Sequence, residues 1–104
     1  MSSYVLSGRA MRDLAEILSY IAEDSEHHAD RVEAAVYGAC AFLEKTPYAG
    51  RLRPEVTGTG VRFWHLPQFR NYVLIYDANQ HPLLIVRILH AARNMRKELR
   101  SSGS

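Results

Sequence analysis

The chemistry in this 104-residue chain gathers where a histidine stands among arginines, at Arg87, His90 and Arg93 within LLIVRILHAARNM. A histidine flanked by guanidinium groups is the equipment for RNA cleavage, in which a base activates the 2′-hydroxyl and fixed cations stabilise the phosphorane. No carboxylate or lysine lies near His90 in the sequence, however. The plain alternative is a strand-terminal histidine bonded to backbone. The other sites of possible chemistry are weaker still. Adjacent His27 and His28 would point about 100° apart on a helix. With no H-x-x-x-H or Cys-x-x-Cys spacing, neither a metal nor a cofactor is expected. Gly58-Thr59-Gly60 lacks the flanking strand and helix of a phosphate loop and reads as a turn. The serine, cysteine and histidine positions form no nucleophile motif.

Residues 83–89 are apolar except for Arg87, a run that predicts a central strand covered on both faces. Strict alternation places Leu83, Ile85, Arg87 and Leu89 on one face and Leu84, Val86 and Ile88 on the other. A cation on so apolar a face needs a partner: either a buried carboxylate bonds Arg87, or the side chain snorkels to the strand end.

Earlier in the chain, Tyr4–Leu6 is a short strand. Ser7 then caps a helix from about Arg9 to Glu23, with Ala10, Leu14, Ile17, Leu18 and Ile21 on its apolar side. Residues 24–28 break that pattern. A second helix follows from about Ala29 to Lys45, with Val32, Val36, Ala39 and Leu43 as its stripe and Thr46-Pro47 as its stop. Residues 46–60 form a loop. Strands are expected at 61–66, 72–77 and 83–89, the last two joined near Asn79, and a terminal helix over 92–100. The order β-α-α-β-β-β-α predicts an α+β domain whose helical hairpin covers one face of a small antiparallel sheet. The other face, apolar and flanked by arginines, is expected to stay open as a binding surface.

Length and composition suit one domain over residues 1–100, with a polar, disordered tail at 101–104. Charge is divided along the chain: residues 1–50 carry four basic and eight acidic side chains, whereas residues 61–100 carry seven and two. The basic half predicts an anionic partner, nucleic acid or acidic protein. Cys40 is the only cysteine, so it cannot form an intramolecular disulfide, and it is expected to pack as a small apolar residue. With no signal-like start and no long apolar run, the chain reads as cytoplasmic and free of membrane.

Taken together, these stretches resemble the RelE/ParE superfamily of type II toxin–antitoxin toxins, and within it the ParE-like branch. YVLSGRAMRDLAEILSYIAE is similar to the opening strand and helix, and FLEKTPYAGRLRPE to the end of the second helix and its loop. RNYVLIYD resembles the penultimate strand, and IVRILHAARNM the closing strand with its Arg-x-Leu-His-x-Ala-Arg pattern. The chain departs from that pattern at Ala91, where glycine is frequent, and at Asn94, where an acid is frequent.

The resemblance implies a toxin that poisons DNA gyrase, trapping it with cleaved DNA, and a cognate antitoxin that folds on the toxin surface to form a hetero-oligomer. Antitoxin contacts are expected on the face of Leu83, Ile85, Arg87 and Leu89. Target contacts are expected at Arg93, Arg96, Lys97 and Arg100, which recur at helical steps. The RelE-like alternative is a ribosome-dependent mRNA endoribonuclease, for which Arg62, Arg70, Arg87 and His90 would hold the phosphate. That branch relies on a lysine, arginine and tyrosine set, or on Glu with His and Tyr. No tyrosine follows Arg87 here, so a gyrase inhibitor rather than an enzyme is expected.

Overall fold

The computed structural model describes residues 3–53 and 60–91. The expected terminal helix, with Arg93, Arg96, Lys97 and Arg100, and the 101–104 tail lie outside the described residues. Strand β1 (Tyr4–Leu6) leads into helices α1 (Gly8–Ala22) and α2 (Glu26–Lys45). Strands β2 (Arg51–Leu52), β3 (Arg62–His65), β4 (Tyr72–Asp77) and β5 (Leu83–His90) follow.

Both helices start on a serine. Ser7 accepts from the Ala10 amide at 3.0 Å and Ser25 from the His28 amide at 3.0 Å, each satisfying a donor of the first helical turn. The second cap carries α2 back to Glu26, three residues before the expected start, so His27 and His28 are helical. Ala10, Leu14 and Ile21 of α1 meet Ala29, Val32, Val36, Ala39, Cys40 and Leu43 of α2. Leu74, Tyr76, Leu83, Ile85 and Ile88 of the sheet complete this core.

The sheet corrects the expected topology. Its order is β1-β5-β4-β3-β2, and β1 runs parallel to β5, with Tyr4 opposite Leu83 and Leu6 opposite Ile85, so the sheet is mixed rather than antiparallel. The helical hairpin between β1 and the rest supplies the crossover that a parallel pair requires. Strand β2 is a further addition inside the expected loop, pairing Arg51 with Phe63 and Leu52 with Arg62.

Strict alternation fails on β5 because Ile75 pairs with Arg87 but Tyr76 with Ile85, leaving Val86 as a bulge residue. One extra residue reverses the facing of everything after it. Leu83, Ile85 and Ile88 therefore all pack under the helices, while Leu89 joins Phe63, Val73 and Ile75 on the opposite face.

That opposite face is not open, which corrects a second expectation. Phe63, Val73, Ile75 and Leu89 are 4, 0, 9 and 3 % exposed. Val61 and Ala91 pack against them, and the Arg53 guanidinium lies 5.7 Å from the Phe63 ring centre. Counting apolar positions along a strand does not reveal what comes to rest on it.

Burial has a measurable consequence at Cys40, which is fully buried and whose thiol is pushed up to about 12 by desolvation. The Tyr76 phenol is raised in the same way, by desolvation. Both groups bind protons more tightly folded than unfolded, so stability is retained below their ordinary pKa values and falls as pH rises above them. For Cys40 that window runs from 9.0 to about 12. The melting temperature should drop progressively above pH 9, and less steeply in Cys40→Ala. Parallel pH profiles for the two proteins would count against this account.

Candidate functional site

The centre of the site is the junction of α1 with the far half of β5. Strand β1 pairs only with Leu83–Ile85, so among the described residues no strand lies beside the outer edge of β5 from Val86 onward. A bare edge presents unpaired backbone groups. The start of α1 takes them up. The Ser7 amide donates to the Ile85 carbonyl at 2.9 Å and its hydroxyl to the Val86 carbonyl at 2.8 Å. Asp13 Oδ2 accepts the Ile88 amide at 3.1 Å.

The same carboxylate holds Arg87. Arg87 Nε donates to Asp13 Oδ2 at 2.8 Å and Nη2 to Oδ1 at 3.2 Å, a forked pair spanning 74 positions of sequence. The two side chains are 19 and 10 % exposed. Among the described residues Asp13 is the one buried charged side chain. Of the two readings open for Arg87, the buried carboxylate is therefore the one realised.

Beside this pair lies a cleft of about 220 Å³ lined by Asp13, Glu16, Ile17 and Tyr20 of α1 and by Tyr72, Ile88 and His90 of the sheet. Positions 13, 16, 17 and 20 fall on one helical stripe. His90 pairs with Tyr72 across the sheet, and their rings meet edge to face at 5.4 Å. His90 thus has tyrosine and carboxylate company that its sequence neighbours do not suggest. The helical spacing of Asp13, Glu16 and Tyr20 was a usable signal, but nothing local pointed that stripe at β5.

The other expected phosphate ligands do not converge here. Arg62 pairs with Tyr76, four residues along β4 from Tyr72, which is roughly 13 Å at ordinary strand rise. Its guanidinium donates to the Gly50 carbonyl at 2.8 Å and lies 5.0 Å from the Tyr48 ring centre, tying the segment before β2 to the sheet. Arg70 is exposed in the β3–β4 turn, where its carbonyl is 3.0 Å from His65 Nδ1. Leu83, Ile85 and Leu89, expected to meet the antitoxin, are 3, 0 and 3 % exposed.

Exposed apolar surface lies elsewhere, on α2. Ala35, Gly38, Ala39 and Phe42 form one wall of a groove of about 360 Å³, and Trp64, Pro67 and Gln68 the other. The Phe42 and Trp64 rings stack at 5.2 Å. Trp64 Nε1 is buried without a hydrogen-bond partner, an uncommon state for an indole N–H.

A helical hairpin seated on a mixed five-stranded sheet in the order β-α-α-β-β-β-β is an α+β fold of the RelE/ParE kind. The family described as "ParE toxin of type II toxin-antitoxin system, parDE" matches residues 4–95, and the chain belongs to that family of toxins. A comparison with curated proteins finds no match. Among the described residues no helix is long and apolar enough to cross a membrane.

Proposed function

We propose that this toxin arrests growth by poisoning DNA gyrase with cleaved DNA bound, and that its cognate antitoxin neutralises it in the cytoplasm. The observation favouring this over RNA cleavage is the engagement of the cations. Arg87 is forked onto Asp13 and Arg62 staples the segment before β2, so of the four expected phosphate ligands, all of them described residues, Arg70 and His90 are left at the Tyr72 end of the sheet. A phosphorane-stabilising set needs its donors converged on one point. Target contacts are assigned to Arg93, Arg96, Lys97 and Arg100, a density of cations suited to an acidic protein or DNA surface. The antitoxin is assigned the α2 groove, where an apolar segment carrying one hydrogen-bond acceptor would cover Phe42 and satisfy Trp64 Nε1.

Purified gyrase tests the reading directly. Toxin should inhibit supercoiling and accumulate cleaved DNA, and a chain ending at Ala92 should lose both effects while keeping its fold by circular dichroism and its antitoxin binding. Codon-specific cleavage of mRNA on translating ribosomes, abolished by His90→Ala, would overturn it in favour of the RelE-like alternative.

A further inference from the structure

Helix α2 carries an outward face that no described residue covers. Residues 34–43, AAVYGACAFL, include no charged side chain, so the helix is apolar on every side over this stretch. Val36, Ala39, Cys40 and Leu43 form its inner side, in the core. Ala34, Tyr37, Gly38, Ala41 and Phe42 stay exposed, the two rings at 41 and 45 %. Their steps of three and four residues make one continuous stripe. A helix that is apolar all round is ordinarily enclosed rather than left at a surface.

The charges that bound the stripe select its occupant. Asp30 stands one turn before Ala34 and Lys45 one turn after Ala41, both exposed, and among the described residues neither has an ion pair within the chain. A second α2 laid antiparallel about an axis between Tyr37 and Gly38 brings position 30 level with 45 and position 34 level with 41. Asp30 then meets the partner's Lys45, Ala34 meets the partner's Ala41, and twofold symmetry makes each contact twice. Alanine against alanine lets the two helix axes approach to ~8 Å. A parallel pair would instead set Asp30 level with Asp30 and Lys45 with Lys45, like charge against like. We infer that the outward face of α2 is a self-association surface, closed by α2 of a second copy of this chain in antiparallel register. This goes beyond the gyrase and antitoxin assignments and depends on neither. A single helix pair of this length falls short of the ~800 Å² per partner of a standard interface, so the dimer is weak and reversible, with micromolar dissociation.

Sedimentation equilibrium of the full-length toxin over a micromolar concentration series tests the assignment. The unaltered chain should pass from monomer to dimer as concentration rises. Ala34→Glu places a good helix former at an exposed position, so its circular dichroism should be unchanged while association weakens at least about tenfold. Asp30→Lys and Lys45→Glu should each weaken it roughly threefold to tenfold, since each sets like charges level twice in the dimer. The double variant, which restores opposite charges, should recover the original affinity to within about twofold. A toxin that stays monomeric throughout would overturn the inference. So would a dimer indifferent to Ala34→Glu, or a double charge variant no tighter than either single one, which denies the antiparallel register. Loss of antitoxin binding by Ala34→Glu in a toxin that never dimerises would assign the face to the antitoxin instead.

Discussion

Replacing Asp13 by alanine should cost roughly 3 kcal/mol of folding stability, the range found when one partner of a largely buried ion pair is removed. Two losses combine. Arg87, whose side chain is 19 % exposed, keeps its charge but has lost the forked acceptor, and the Ile88 amide on the edge of β5 loses the carboxylate that accepts from it. For a domain of about 100 residues this corresponds to a fall in melting temperature of roughly 15 °C. Asp13→Asn should fall between alanine and the unaltered protein, since its amide oxygen can still accept from Ile88. The double variant Asp13→Leu with Arg87→Met should lose less than Asp13→Ala, because it removes the cation together with its forked acceptor. Urea unfolding would decide the matter. A loss below about 0.5 kcal/mol for Asp13→Ala, the range of an ordinary surface substitution, would show that the pair does not anchor α1 to β5.

Gly50→Ala should be comparably damaging, at about 3 kcal/mol, although only one methyl group is added. A Cβ at Gly50 would lie 2.5 Å from Tyr76 Oη and 2.7 and 2.9 Å from two atoms of its ring. Tyr76 cannot withdraw: it is fully buried, its hydroxyl accepts from the Gly50 amide at 2.8 Å, and it donates to the Pro47 carbonyl at 2.7 Å. Relieving the clash therefore breaks the bonds that hold residues 47–50 against the sheet. Gly38→Ala is the natural contrast, because a Cβ there meets nothing within 4 Å inside α2. It should gain up to about 1 kcal/mol from helix propensity. Adding Tyr76→Phe to Gly50→Ala should recover part of the loss by removing the closest atom. Strictly additive effects would count against a direct clash.

Local patterning settled much of the architecture in advance. The apolar stripes ending at Ile21 and beginning at Val32, and the serine before α1, specify two helices joined by a short turn, and such features are legible because their periods are properties of a single segment. Alternation on β4 likewise separates Leu74 and Tyr76 from Val73 and Ile75. The ordered set of motifs carried the family. Other features belonged to no single segment. The bulge at Val86 depends on how β5 meets β4, and by adding one residue it moves Ile88 under the helices and Leu89 to the opposite face. Whether β1 runs parallel to β5 depends on where the helical hairpin delivers the chain. Arg87 needed a carboxylate, which the one-dimensional pattern could require but not locate, since proximity in space selected Asp13 from eight acids in the first half of the chain. For the same reason His90 has Tyr72 and Glu16 beside it only once α1 has packed on the sheet. Backbone periodicity writes secondary structure into the sequence locally, whereas ion pairs, clefts and covered faces come from long-range packing, in which many residues compete for each place.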